Sequence, residues 1–344
     1  MRGKTRGKID YSEVGEGRSK SIYIEPTVTD TAVLIAFYNP AGFRRILNNL
    51  RYVMKVMKDK KIPFFIIECV FNNRAQEVPE ADMVVHSNSY MFYKEQLMNK
   101  LEPIVPKQYT KLVALDADII FDTPDWLDKI SESLDKYDVV QPFLKACWLT
   151  EDNKRIFSCK NSYAYAFTKD YALDRKSLYT YHPGFAWAFR RDVFQKLGGF
   201  FPKAILGGGD TFFLFNFYGN TIPEFWMKEY NKGGNILVTN EWGEYNKHFQ
   251  QVNPTLGYAN LTVMHLFHGL MKNRKYGSRY DIFKPYEHME WDELFTTNND
   301  GLTEFKNPRI RKLLLRYFKE RNEDIPIEEA TRAMTRKKTI KTPH

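Results

Sequence analysis

The stretch Lys111-Leu-Val-Ala-Leu-Asp-Ala-Asp-Ile-Ile-Phe121 joins a continuous apolar run to two carboxylates. A short apolar run between polar residues is typical of a buried parallel strand. The apolar residues after Asp118 keep Asp116 and Asp118 at a half-buried edge. Carboxylates are costly in such a place unless they bind a metal ion or accept hydrogen bonds. We therefore expect this Asp-x-Asp pair to bind a hard divalent cation at the end of the strand.

The segments around this stretch alternate between apolar strands and amphipathic helices. Further strands are predicted at 31–37, 63–71, 82–86 and 138–143, and helices at 43–57, 93–101 and 124–137. The alternation predicts an α/β fold with a mostly parallel central sheet, flanking helices and right-handed crossovers. Ligands of such sheets bind beyond the carboxyl ends of the strands. Asn39, Glu68 and the 116–118 segment should therefore line one crevice.

The two ends of the chain are basic and differ from the middle. Residues 1–28 are predicted to be a flexible basic arm, residues 29–299 one domain, and residues 300–344 a C-terminal helix followed by a basic tail. An apolar stripe supports this last helix at Ile310, Leu313, Leu314, Tyr317 and Phe318.

Composition excludes several classes of protein. The 344 residues are 43% hydrophobic, which predicts a substantial core rather than a disordered chain. A net charge of +9 permits a nucleic acid, membrane or phosphorylated partner without choosing among them. The three cysteines form no Cys-x-x-Cys pair, which argues against a zinc ribbon, and their odd number fits a reducing compartment better than a disulfide-stapled secreted domain. No signal peptide or membrane-spanning run is predicted.

A second candidate ligand lies far downstream, in Leu261-Thr-Val-Met-His-Leu-Phe-His-Gly269. If this segment is a strand, His265 and His268 point to opposite faces, so at most one should reach the metal ion. His268 is the better candidate because Gly269 follows it and permits close backbone approach.

A basic cluster follows this histidine. Lys272, Arg274 and Arg279 are interleaved with Tyr276 and Tyr280. Such cations suit the phosphate groups that a divalent cation bridges.

The turn Gly207-Gly-Gly-Asp210 precedes an apolar run and has two interpretations. Asp210 can be the N-cap of a helix. It can also accept a proton from an incoming hydroxyl group inside a glycine-lined cavity. Upstream, the aromatic residues of the segment 182–191 suit either sugar stacking or core packing.

The order of these motifs resembles that of the GT-A fold glycosyltransferases, in particular the family-2-like members of bacteria and large viruses. The resemblance covers roughly residues 30–285 and rests on the following motifs: Asn39-Pro40, Tyr93-Lys-Glu-Gln-Leu-Met-Asn99, Leu115-Asp-Ala-Asp118, Pro183-Gly-Phe-Ala-Trp-Ala with Leu197-Gly-Gly-Phe200, Gly-Gly-Asp210, and His268-Gly269.

The resemblance implies a set of site residues. Asp116, Asp118 and His268 would bind manganese or magnesium, and Asp210 would be the catalytic base. Residues 29–145 would form the donor half and bind a UDP- or GDP-sugar through Asn39, Glu68, Lys94, Asn99, Asp116 and Ala117. Three basic residues of the other half, Lys272, Arg274 and Arg279, would complete the donor site. Residues 146–299 would bind a glycan or glycoprotein acceptor through His182, Trp187, Gly208 and Gly209.

The sequence thus predicts a metal-dependent glycosyltransferase, inverting, that moves a sugar from a nucleotide diphosphate to a hydroxyl group. Two alternatives remain open. One is a metal-dependent nucleotidyltransferase, and the other is a non-catalytic glycan- or nucleic-acid-binding module on the same fold. A nucleic acid partner is not expected, and the predicted location is the cytoplasm, that of the host if the protein is viral.

Overall fold

The computed structural model describes residues 24–171, 180–219 and 235–339, together with positions 222, 224, 227 and 228. Within these residues the strands are β1 (Thr31–Tyr38), β2 (Phe64–Phe71), β3 (Met83–Ser87), β4 (Lys111–Leu115), β5 (Ile119–Phe121), β6 (Val139–Gln141), β7 (Lys145–Leu149), β8 (Ile156–Ser162), β9 (Tyr181–His182), β10 (Ala186–Arg190), β11 (Leu256–Tyr258), β12 (Thr262–His265), β13 (Phe295–Thr297) and β14 (Thr303–Phe305).

The α-helices in the same residues are α1 (Arg44–Asp59), α2 (Lys94–Leu101), α3 (Trp126–Leu134), α4 (Tyr163–Thr168), α5 (Arg191–Lys196), α6 (Gly209–Tyr218), α7 (Asn235–Val252), α8 (Trp291–Leu294), α9 (Pro308–Glu320) and α10 (Ile327–Thr339). Short 3-10 helices cover Glu102–Ile104, Met271–Arg274 and Arg279–Tyr286.

A seven-stranded sheet of order β11-β6-β10-β4-β1-β2-β3 lies at the centre of the fold. Strands β4, β1, β2 and β3 pair in parallel, as do β11 and β6, whereas β10 is antiparallel to both of its neighbours. The predicted α/β fold with a mostly parallel sheet, flanking helices and a C-terminal helical extension is therefore confirmed.

Strand β1 is buried on both faces because helices cover each side of the sheet. Val33, Ile35 and Phe37 pack in the same core cluster as the apolar side of α1. The alternate residues of β1 pack with Leu97 and Leu101 of α2 on the opposite side. This arrangement explains why the strand is a continuous apolar run rather than an alternating one.

A second, five-stranded sheet of order β5-β12-β7-β8-β9 lies beside the first, and the sequence did not predict it. Its strand β5 follows β4 after a short turn and pairs antiparallel with β12, so that Ile119 lies opposite His265. This pairing brings residues 118 and 265 together although they are far apart along the chain.

The sequence did not predict a disulfide, and the structure has one. Cys147 and Cys159 form a disulfide across the antiparallel strands β7 and β8, where they are register partners. Cys69 is buried and free. Cysteine number and spacing could not reveal this pair, because it depends on the register of two strands that tertiary contacts define.

Most of the predicted N-terminal arm lies outside the described residues. Its last residues are held against the domain, since the backbone N–H groups of Thr27 and Val28 donate to the carboxylate of Asp128. Among the helices that the structure describes, none combines the length and apolar character needed to cross a bilayer.

Candidate metal and nucleotide-sugar site

A cavity of about 800 Å³ opens at the carboxyl ends of β1 and β4. Its wall contains most of the predicted site residues: Asn39, Lys94, Asp116, Ala117, Asp118, His182, Gly208, Asp210, His268, Lys272, Arg274 and Arg279. They meet here because β1 and β4 are parallel neighbours, so Asn39 and Asp116 leave the sheet at the same edge. The antiparallel strand β10 begins at this edge, and the N–H of Asp116 donates to the carbonyl of Phe185 just before it (2.9 Å).

Two residues predicted to bind the donor do not line this cavity. Glu68 lies within β2 rather than at its end, and its buried carboxylate accepts hydrogen bonds from the N–H groups of Glu77 and Val78 (2.7 and 2.9 Å). Asn99 fixes the turn after α5, since its side-chain amide forms two hydrogen bonds of 2.7 Å with the backbone of Phe200. Both side chains satisfy backbone groups instead of facing the cavity.

Two residues predicted to bind the acceptor also lie outside the cavity wall. Trp187 is 1% exposed and packs edge-on against Phe213, so it is a core residue. Gly209 is the first residue of α6, and a Cβ atom there would lie 2.0 Å from a carboxylate oxygen of Glu95. Glycine at 209 thus permits the close approach of α2 and α6.

The strongest candidate metal site consists of Asp118, His265 and His268. One donor atom from each side chain lies within 4.8 Å of the other two. The Asp118 Oδ2 atom lies 2.7 Å from Nε2 of His268 and 3.7 Å from Nε2 of His265, and the two Nε2 atoms are 3.0 Å apart. One carboxylate oxygen and two imidazole nitrogens fit a divalent transition-metal ion such as manganese.

His265 was not predicted as a ligand, and the parity argument that excluded it is wrong. Strand β12 ends at His265, so the alternation of faces does not extend to His268. The chain leaves the strand at Leu266, whose N–H donates to the carbonyl of Asp118 (2.9 Å). The turn brings both rings to the same side.

The electrostatics of this group suit a cation. Burial alone would raise the pKa of Asp118, but the rings of His265 and His268 and the nearby Arg274 hold it well below its usual range. Burial lowers the pKa of His265 well below its ordinary value, despite the charge on Asp118. An ionised carboxylate and a neutral imidazole are the protonation states that bind metal ions.

Asp116 occupies a different position, next to Lys94. The Lys94 Nζ atom lies 3.2 Å from Asp116 Oδ1 and 2.7 Å from Asp210 Oδ2. Burial and the neighbouring carboxylates of Asp210 and Asp118 raise the pKa of Asp116 to about 7, although Lys94 opposes this effect. Burial would lower the pKa of Lys94, but Asp116 and Asp210 outweigh it and raise that pKa well above its ordinary value. Lys94 therefore stays charged between two carboxylates.

Asp210 does not cap its helix. The N-cap of α6 is Gly208, with φ of 96°, and Asp210 lies one residue inside the helix, where it contacts Lys94 instead. A Cβ atom on Gly184 would lie 2.8 Å from Asp210 Oδ2 and 3.6 Å from His182 Nε2. Glycine at 184 therefore permits the close approach of the Asp210 carboxylate to the backbone there.

Glu95 is a buried acid at this site that sequence reasoning missed. It is 5% exposed, lines the cavity and lies next to Gly209. Burial and the charge of Asp210 raise its pKa to about 7. The one signal in the sequence that pointed to Glu95 as a site residue was its position directly after Lys94.

His182 lies in an aromatic corner of the cavity. Its ring centroid is 4.0 Å from that of Phe185 and 4.8 Å from that of Trp148. Its Nε2 atom is buried without a hydrogen-bond partner among the described residues. Burial and the nearby charge of Lys160 lower its pKa well below the ordinary value, so the ring is neutral.

The basic cluster divides between two positions. Arg274 is 7% exposed, and its Nη2 atom lies 2.9 Å from Nε2 of His268, beside the candidate metal group. Arg279 is half-buried and lies against the glycine turn, where a Cβ atom on Gly207 would be 2.9 Å from its Nη1 atom. Its guanidinium contacts the rings of Phe92 and Tyr276, and no carboxylate among the described residues forms an ion pair with it. Lys272 is exposed at the rim.

The sequence matches no protein-family model. No curated protein matches it either. Among solved structures, a mutant of Drosophila β-1,4-galactosyltransferase 7 in complex with manganese, UDP-Gal and xylobiose aligns at 12% identity and a TM-score of 0.34, over 67% of this chain and 65% of that one. The catalytic domain of the same enzyme with xylobiose aligns at 11% identity and a TM-score of 0.37, over 84% and 99%.

A bacterial enzyme of different activity aligns at a similar level. The 4-diphosphocytidyl-2C-methyl-D-erythritol synthase of Anaerococcus prevotii shows 9% identity and a TM-score of 0.31, over 84% of this chain and 98% of that one. Similarity this low carries no information about function. The site is therefore interpreted from its own residues.

Proposed function

We propose that this protein is a metal-dependent, inverting glycosyltransferase that moves a sugar from a nucleotide diphosphate to a hydroxyl group of a glycan or protein acceptor. The observation that carries the proposal is the shared cavity. The candidate metal group, the arginine and lysine side chains of the basic cluster, and the carboxylate of Asp210 all line it, together with the aromatic corner around His182.

Asp118, His265 and His268 would hold the cation, with Asp116 on the donor side of the same strand end. When bound, the cation neutralises charge on the departing diphosphate. Two imidazole nitrogens in the ligand set favour manganese over magnesium, which prefers oxygen ligands and near-ideal octahedral geometry.

The diphosphate would lie against Arg279, with Lys272 at the rim and Arg274 beside the metal group. Arg279 is suited to this role because its guanidinium lies against the rings of Phe92 and Tyr276 and forms no ion pair with a carboxylate of the described residues. A guanidinium can donate two parallel hydrogen bonds to one phosphate. The backbone turn at Gly207 and Gly208 permits the close approach that such a ligand needs.

Asp210 would accept the proton of the acceptor hydroxyl, because its carboxylate lies in the cavity wall at the start of α6. Lys94 supports this role by orienting the carboxylate through two hydrogen bonds. The Nε2 atom of His182, which has no hydrogen-bond partner among the described residues and lies close to Gly184, would bind an acceptor hydroxyl group.

The decisive experiment is a panel of UDP- and GDP-sugars assayed for manganese-dependent hydrolysis, with and without glycan acceptors. We expect release of nucleoside diphosphate from at least one donor, abolished by chelation of the metal ion. No release from any donor, with proven manganese binding, would contradict the proposal.

The same preparation tests the alternatives. A nucleotidyltransferase would release pyrophosphate from a nucleoside triphosphate and a sugar phosphate, and would not hydrolyse nucleotide sugars. A non-catalytic module would bind glycans without releasing a nucleotide. Each outcome is distinct from that of a glycosyltransferase.

A further inference from the structure

The segment Arg321–Ile325, between α9 and α10, runs across the back of the candidate metal group. Helix α9 ends at Glu320, and Asn322 adopts a left-handed conformation (φ 46°) that turns the chain sharply. Gly269 permits the contact, since a Cβ atom there would lie 3.0 Å from the Cα of Glu323. A segment predicted to belong to a separate C-terminal extension is thus part of the site.

Contacts with two parts of the fold, the start of α1 and the 3-10 helix Met271–Arg274, hold this segment. The carboxylate of Asp324 accepts hydrogen bonds from the N–H groups of Arg44 and Arg45 at the start of α1 (3.0 and 2.8 Å). Arg45 also donates to the carbonyl of Ile325 (2.8 Å). The side chain of Asn273 donates to the carbonyl of Arg321 (3.1 Å). The backbone position of Glu323 is therefore determined from both sides.

The carboxylate of Glu323 lies behind His268 at an ion-pair distance rather than in a hydrogen bond. This carboxylate is 3% exposed, with Oε1 at 3.4 Å from His268 Nδ1 and 2.5 Å from Nη2 of Arg321. The other nitrogen of the same ring, Nε2, lies 2.7 Å from Asp118 Oδ2. The His268 ring thus lies between two carboxylates, one in the candidate metal group and one behind it.

We propose that Glu323 is a positioning residue that holds His268 in the tautomer with a proton on Nδ1, leaving the Nε2 lone pair for the metal ion. A carboxylate that accepts from the second nitrogen of a ligating histidine fixes its orientation and increases its basicity. Arg321 lies against this carboxylate and holds it in place. The inference rests on the metal group of the proposed function, and is independent of which sugar is transferred.

The test uses the full-length protein with Glu323→Met, which removes the acceptor oxygen, and Glu323→Gln, whose amide oxygen can still accept from Nδ1. Glu320→Gln is the matched control. Glu320 is the last residue of α9, directly before this segment, and it pairs with the exposed Lys275 and Arg316. Binding of Mn²⁺ alone is measured by the loss of the free-ion EPR signal. We expect Glu323→Met to weaken the affinity for Mn²⁺ by about 10- to 100-fold. Glu323→Gln should recover part of that loss, and Glu320→Gln should leave the affinity unchanged.

A second readout does not depend on the metal ion. Because Asp118 also competes for a proton on Nε2 (2.7 Å), the ring ¹⁵N shifts of His268 are compared between the metal-free wild-type protein and Glu323→Met, with His268 assigned from the spectrum of His268→Gln. We expect a smaller share of the Nδ1–H tautomer in Glu323→Met. An equal share in the two proteins, or wild-type manganese affinity in a folded Glu323→Met, would overturn the role of Glu323. If the wild type itself binds no manganese, the metal group of the proposed function fails instead.

Discussion

Lys94 of α2 and Asp210 of α6 form an ion pair in the wall of the cavity. Lys94 Nζ lies 2.8 and 2.7 Å from the two carboxylate oxygens of Asp210. Lys94 is the first residue of α2 and Asp210 the second residue of α6, and they are 116 positions apart in the sequence. The pair holds Asp210 at the cavity wall, and so the first prediction concerns this carboxylate.

Asp210→Asn should reduce turnover by about 10²-fold or more, because an amide cannot accept the proton of the acceptor hydroxyl. Donor affinity should change little, since the candidate metal group is intact. Steady-state kinetics and donor titration measure the two quantities. Asp192→Asn, at an exposed acid in the first turn of α5, is the control. Turnover of Asp210→Asn within a few-fold of the wild type would remove Asp210 from the mechanism.

His265→Gln should weaken manganese binding by at least about tenfold. Removing a residue that only hydrogen-bonds to a metal ligand already costs about 10- to 100-fold in affinity, so removing a ligand should cost no less. The reason is that Nε2 of His265 lies 3.0 Å from that of His268, within the same group as Asp118. Calorimetric titration with Mn²⁺ gives the affinity. His248→Gln changes an exposed histidine that contacts the carbonyl of Lys196 and should have no effect. If His265→Gln and His248→Gln bind Mn²⁺ with equal affinity, His265 is not a ligand and His268 is the one histidine of the site.

Arg279→Met should weaken nucleoside diphosphate binding by about 1.5–3 kcal/mol, the range for hydrogen bonds to charged groups. Methionine keeps much of the packing against Phe92, so lost charge is the main change. Binding is measured by titration with UDP and GDP. Arg316→Met removes an exposed arginine of α9 and serves as the control. If both variants bind like the wild type, Arg279 only covers an aromatic surface.

Asp324→Ala should lower the free energy of unfolding by about 0.5–2 kcal/mol, the range for losing a helix cap. Phe43, the N-cap residue of α1, makes no side-chain cap bond, so Asp324 provides this cap from the other end of the chain. Asp324→Asn should cost less, since an amide oxygen can also accept. Urea denaturation followed by circular dichroism measures both. A larger loss for asparagine than for alanine would contradict the capping role.

Alkylation of the denatured, unreduced protein should modify one cysteine, and three after reduction. The expected free thiol is Cys69, since Cys147 and Cys159 are paired across β7 and β8. Mass spectrometry of the alkylated protein counts the modified residues. Three modified cysteines without reduction, in protein purified under oxidising conditions, would show that the pair does not form.

The sequence determined the elements that local patterns encode. Strands β1 and β4 are apolar runs after their first residues because helices cover both faces of the sheet, and these runs are visible in the residues themselves. The helical spacing of apolar residues predicted α1. Because parallel strands end at one edge, the position of Asp116 after β4 also predicted where the cavity lies.

The tertiary structure decided which side chains meet at that edge. His265 joins His268 because β12 ends early, and Lys94 meets Asp210 because α2 and α6 pack closely at Gly209. The approach of Glu323 from behind His268 depends on a turn that follows α9. None of these contacts has a periodic signal, because each depends on the relative position of elements far apart in the chain. Local patterns record which face of an element is buried, and long-range packing determines what lies against it.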